Sequence, residues 1–110
     1  MTQEDKELLL KDLSARLPYG VVVELDEKFG FNKGTRTLVK ELLDLYCVVG
    51  IKPYLRPMSS MTEEERSELS HYYNAVQRTD FFYSHHIDCR FMIEKSLAIE
   101  VTEANNPYKE

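Results

Sequence analysis

The sequence predicts an α+β fold: one small domain in which a short antiparallel or mixed sheet carries helices on one face. Three observations predict it. At 110 residues the chain has the length of one domain able to bury a single ordinary core. Its apolar positions follow a period of 3.6 in some segments and of 2 in others. The segments run helix, strand, mixed segment, helix, helix, strand, without the regular βαβ alternation of a doubly wound sheet and without an internal repeat.

Residues 2–17 read as an amphipathic helix, with Leu9, Leu13 and Leu17 at i, i+4, i+8, Leu10 beside them, Thr2 as cap and Glu4 and Asp5 as early acids. Pro18 ends it. Tyr19, Val21, Val23 and Leu25 then alternate with Gly20, Val22, Glu24 and Asp26, the period of a half-buried strand. Residues 26–34, with two glycines and an Asn-Lys-Gly end, read as a turn or short hairpin loop. The next segment carries both signals. Leu38, Leu42, Leu45, Tyr46 and Val49 make a helical stripe, whereas Thr35, Thr37, Val39 and Cys47-Val48-Val49 suit strands; the reading is helix over 36–46 and strand over 46–51.

Lys52 to Thr62 is the most informative stretch. Pro53 and Pro57 fix their own φ and push Lys52 and Arg56 out of the α region, so this is a stiff bracket. It feeds a helix whose N-cap is Thr62, with Glu65 completing a reciprocal capping box. The acids Glu63, Glu64 and Glu65 suit the positive end of the helix dipole. Leu69, Tyr72, Tyr73 and Val76 fall at i, i+3, i+4, i+7 and predict one helix over about 63–78. Phe81, Phe82 and Tyr83 form an aromatic knot, and Asp88 reads as the cap of another short helix through Phe91, Met92 and Ile93 to about Ser96. Leu97, Ile99 and Val101 alternate as a closing strand. The domain is therefore expected over 1–102, with 103–110 a polar tail that frays.

The composition, 43% apolar and 30% charged with seven Tyr and no Trp, is that of a folded globular chain. No stretch reaches the roughly 18 apolar residues of a membrane span, and Met1 to Asp5 lacks signal-peptide order, so a cytoplasmic protein is expected. Cys47 and Cys89, without a C-x-x-C, are expected as reduced thiols. The net charge is −5, with 8 basic and 9 acidic residues in 1–55 and 6 and 10 in 56–110. Such a chain repels phosphate backbones at long range, so nucleic acid is a disfavoured partner. No glycine run has the spacing of a phosphate or dinucleotide loop.

Leu8–Val21 (LLLKDLSARLPYGV), Lys52–Glu65 (KPYLRPMSSMTEEE), His85–Arg90 (HHIDCR) and Ile93–Glu100 (IEKSLAIE) resemble a family of small uncharacterised proteins encoded by gut Bacteroidetes and by their phages and prophages. The resemblance implies a setting, a phage or mobile element, and no activity. The chain departs from that pattern in an abbreviated stretch 26–51 and in Cys89 and Phe91, which stand where Tyr and Gly are expected.

Three constellations carry candidate chemistry. Lys52, Tyr54, Arg56, Met58 and Met61, with Tyr72 nearby, suit an adaptable surface for a host or phage protein, with no cofactor and no metal; this is the leading expectation, a small interaction or regulatory module. His85, His86, Asp88 and Cys89 are the one cluster of metal-ligand or nucleophile types, and would make a small enzyme or metal site. Adjacent histidines on a helix point about 100° apart, however, and no second ligand pair follows. Cys89 before Arg90 would be an activated thiolate at a helix start or a small buried hydrophobe. Lys33, Arg36, Lys52 and Arg56 would serve a nucleic-acid-binding regulator.

Overall fold

The computed structural model describes residues 2–25, 34–41 and 50–108. The chain is an α+β domain; among the described residues it shows three complete α-helices and a four-stranded mixed sheet. Helix α1 is Gln3–Arg16; Thr2 caps it through a full capping box with Asp5, and Pro18 follows in the 3₁₀ turn Leu17–Tyr19. Gly20, at φ 70°, then reverses the chain, a conformation that costs glycine nothing. Strand β1 is Val22–Leu25, β2 Gly34–Thr37, β3 Ile51–Leu55 and β4 Ile99–Glu100, in the order β2-β1-β3-β4. The β1 pairings are antiparallel and β3 with β4 is parallel.

The register explains the burial. Val23 lies opposite Pro53 and Leu25 opposite Ile51, so these apolar side chains share one face, while Glu24 lies opposite Lys52 and Thr35 on the other. The inner face meets Leu9 and Leu13 of α1, together with Leu38, Leu55, Met92, Leu97 and Ala98, in one core. Pro53 offers no N–H, and the parallel partner β4 begins pairing only at Tyr54.

Two helices follow the bracket where the periodicity predicts one. Helix α2 is Glu63–Ser70 and α3 is Ala75–Ser84. Asn74 makes the break: its side chain accepts from the N–H groups of Val76 and Gln77 at 2.8 and 3.2 Å, starting a new helix. The stripe Leu69, Tyr72, Tyr73, Val76 therefore spans a corner, and Tyr73 is 94% and Val76 67% exposed. The aromatic knot belongs to α3, where Phe81 packs with Leu69 and Ile87 in a second core and Tyr83 is buried on another side.

The helix expected after Asp88 does not form. Residues 89–97 are successive turns, because Phe91 (φ 58°) and Ser96 (φ 60°) hold left-handed backbone that interrupts any helical run. Asp88 still acts as a cap of a kind, its two oxygens accepting from the N–H groups of Met92 and Ile93 at 2.9 Å each. The closing strand is short, and both Leu97 and Ala98 are buried. In the mixed segment, Arg36 and Thr37 are strand and not helix, since β2 pairs with β1; helical backbone starts at Lys40. Of the turn expected over 26–34, Gly34 is the first residue of β2 and residues 26–33 lie outside the described residues, as do residues 42–49 of the expected helix and strand.

The tail expected to fray instead returns to the sheet. One step beyond the Val23 and Pro53 pair, the register places Val22 opposite Tyr54, and the Tyr108 hydroxyl stands between them: it accepts from Val22 N–H at 3.0 Å and donates to the Tyr54 carbonyl at 2.7 Å. The tyrosine thus replaces the next rung of the ladder. Burial first of all pushes its pKa up to about 12, so the donor proton is retained at physiological pH.

Candidate functional site

The bracket's five predicted surface residues are mostly engaged in holding the fold. Lys52 is exposed; Tyr54, Arg56, Met58 and Met61 are half-buried. Met58 and Met61 pack against the second core. Arg56 makes a two-pronged pair with Glu65, at 2.7 and 2.9 Å, and donates to the Ser60 carbonyl at 3.1 Å. Its backbone joins the turn after α3, donating to His86 O at 2.7 Å and accepting from Asp88 N–H at 2.8 Å.

Glu65 is where these contacts converge. It closes the predicted capping box with Thr62 and also faces His85 Nδ1 at 3.1 Å, so one carboxylate ties the bracket, the start of α2 and the end of α3. The Arg56 hydrogen bonds above all, helped by the Thr62 N–H, hold its pKa down at about 2 against the opposing effect of burial.

His85, His86, Asp88 and Cys89 do separate jobs. His85 lies against the Phe81 ring, 4.4 Å between centroids. His86 ends α3 in left-handed backbone at φ 59°, with its N–H bonded to Tyr83 O and the Ile87 N–H to Phe82 O, the paired bonds that close a helix C-terminus. Its ring stacks on Tyr108 at 3.8 Å and 6°. Burial, then the positive charge of Arg16, lowers its pKa to about 4, so it is neutral at physiological pH. Cys89 has its thiol pKa raised by burial, which outweighs the nearby Arg16; the activated-thiolate reading does not hold. Among the described residues no three His, Cys, Asp or Glu side chains are grouped to hold a metal ion.

Beneath this turn lies a buried ion pair. Asp12 and Arg16, both 0% exposed, meet at 2.7 Å; Arg16 also donates to Ile87 O at 2.7 Å and lies 4.9 Å over the Tyr83 ring. Arg90 Nε comes within 3.3 Å of Asp12, and its Nη2 donates to the Tyr83 hydroxyl at 2.7 Å. The signal was present in the sequence: positions 9, 12, 13 and 16 form one helical face, two leucines and two charges.

The basic residues of the nucleic-acid reading do not share a patch. Arg36 sits in register with Val23, and Lys52 with the adjacent Glu24, so they start from opposite faces of the sheet; Arg56 is bound to Glu65, and Lys33 lies outside the described residues.

A cleft of about 320 Å³, open to solvent, lies between α2, α3 and the turn after α1. Three rings form its walls, Tyr19, Tyr72 and Phe81, and two carboxylates from different helices face it, Glu68 and Asp80. Gln77, Ser84 and His85 complete it. The Tyr72 hydroxyl donates to Glu68 at 3.3 Å. Both tyrosines have raised pKa values, by desolvation first and then by their carboxylate neighbours, Glu68 for Tyr72 and Asp80 for Tyr19. The bracket stands behind this cleft, since Met58 and Met61 pack in the same cluster as Tyr72 and Phe81, and Glu65 holds His85. Sequence reasoning had Tyr72 and His85 but not Tyr19, Glu68 or Asp80, which only the packing of α3 against the end of α1 brings together. Comparison with protein-family models, curated proteins and solved structures gives no match for this chain.

Proposed function

We propose that this protein is a small cytoplasmic interaction module that docks another protein, encoded by a phage or its host, at the cleft between α2 and α3. The single observation that carries the reading is the cleft itself: a solvent-open cavity with aromatic walls, backed by a stiffened bracket, beside a helical corner that exposes Tyr73 and Val76. Aromatic side chains in concave, well-supported surroundings are the groups that dominate protein recognition energetics. In this reading the bracket residues Arg56, Met58 and Met61 serve binding by fixing the walls, Tyr54 belongs to the sheet, and Lys52 is the bracket residue left to meet a partner directly.

The test is a comparison of proteins retained by the immobilised chain and by two variants. Gln77→Trp fills the cleft from an exposed position, and Lys11→Glu alters the exposed side of α1. A partner kept by the wild type and by Lys11→Glu but lost with Gln77→Trp supports docking at the cleft. Equal retention by all three contradicts it.

A further inference from the structure

We propose that the occupant of the cleft is an arginine side chain presented by the partner protein, a deepening that rests on the docking reading above. The walls and the charges each select for it. Glu68 and Asp80 supply negative charge from two helices, and none of the residues lining the cleft is a lysine or arginine. Arg78, the nearest cation on α3, donates to the Tyr72 backbone carbonyl at 3.3 Å and does not line the cavity. Two carboxylates beside the tilted rings of Tyr72 and Phe81 (6.1 Å, 52°) and the ring of Tyr19 suit a planar guanidinium, which presents a fork of donors at its edge and a weakly hydrated face to aromatic carbon.

The tyrosine hydroxyls reinforce this selection. Tyr72 spends its proton on Glu68 and so orients that carboxylate, the charge of Asp80 is felt at the Tyr19 hydroxyl, and both carboxylates keep acceptor capacity free for an incoming donor. A volume of about 320 Å³ is at the small end for ligand sites and accommodates one side chain in preference to a cofactor. The net charge of −5 draws a basic segment toward the molecule from a distance.

The experiment is an amide chemical-shift titration of the full chain with N-acetyl-arginine amide, N-acetyl-lysine amide and N-acetyl-norleucine amide. The arginine probe is expected to give saturable shifts confined to Tyr19 and the amides between Glu68 and His85, with weaker binding of the lysine probe and no localised response to norleucine. In a Glu68→Gln, Asp80→Asn double variant, whose remaining resonances report an unchanged fold, arginine binding should weaken about tenfold, the product of two exposed charge contacts. No saturable response to arginine, equal binding of lysine or norleucine, or unchanged affinity in the double variant each overturns the assignment. The two readings separate in partner retention. Loss with Gln77→Trp but full retention by the double variant leaves docking standing and removes arginine; retention by both variants removes docking itself.

Discussion

The two cores of this protein are built differently. Where α1 meets the sheet, Leu9, Leu13, Val21, Val23, Ile51 and Leu55 are fully buried and the stabilisation is hydrophobic, with one ion pair at the margin. Where α2 and α3 meet the bracket, the apolar cluster is smaller, Leu69, Phe81 and Ile87, and the Glu65 carboxylate bridges the elements around it. The proposed docking surface lies on the half whose geometry is fixed by directional contacts, and the corner beside it leaves Tyr73 94% and Val76 67% exposed, more than Leu10 at 46% or Val39 at 47% in the other half. Asp12 and Arg16 join the halves, since Arg16 leaves α1 to bind the Ile87 carbonyl.

The largest effect is expected at that junction. Asp12→Ala leaves Arg16 buried with an uncompensated charge, and denaturant unfolding should show a loss of about 3–5 kcal/mol. A loss below about 1 kcal/mol would mean that the pair is dispensable and the halves are joined by packing alone.

Next comes the bracket. Arg56→Ala should cost about 2 kcal/mol through the charge-assisted bonds to Glu65 and Ser60. The sign of its pH dependence follows from Glu65. A carboxylate held at about 2 when folded, below its ordinary value near 4.5, contributes stability that is present above 4.5 and lost as pH falls toward 2. Wild-type stability should therefore decline over that window, and the Arg56→Ala variant should show a shallower decline. Equal slopes in acid titrations of the two proteins would detach Glu65 from the bracket.

A smaller effect belongs to the tail. Tyr108→Phe keeps the ring over His86 but removes the bridge between Val22 and Tyr54, for an expected loss of about 1–2 kcal/mol in thermal or denaturant unfolding and faster hydrogen exchange at the Val22 amide. The smallest has the opposite sign. Phe91 is 55% exposed and sits at φ 58°, so Phe91→Gly relieves left-handed strain and should stabilise by about 1 kcal/mol.

Legibility in the sequence divides along the same line. The α1 half could be read because its signals are local and regular: the Leu9 and Leu13 stripe, the Thr2 cap, the alternation from Val21 to Leu25. The α2 and α3 half was half-readable. The Thr62 and Glu65 capping box was visible, yet the second role of Glu65 depends on Arg56 and His85, which approach it only through tertiary structure. The single helix expected over 63–78 came from an apolar spacing that happens to cross the Asn74 cap, and local hydrogen bonding overrode periodicity. Helix α3 hid its pattern because Phe81 and Tyr83, two positions apart, are buried against different neighbours, the second core and Arg16. The Tyr108 anchor left no signal, since a polar tail with one tyrosine reads as solvent-exposed until a sheet rung is found for it. The cleft was illegible for the same reason: Tyr19 and Asp80 have no relation in sequence.

Residue-resolved hydrogen exchange, taken as protection factors at a series of pH values from 7 down to 2, tests the contrast between the two halves most directly. Protection in Glu63–Ser70 and Ala75–Ser84 should fall as pH drops through the window below 4.5, while the amides of Leu9, Leu13, Val23 and Leu55 keep theirs to lower pH. A uniform, concerted loss across both halves would contradict it.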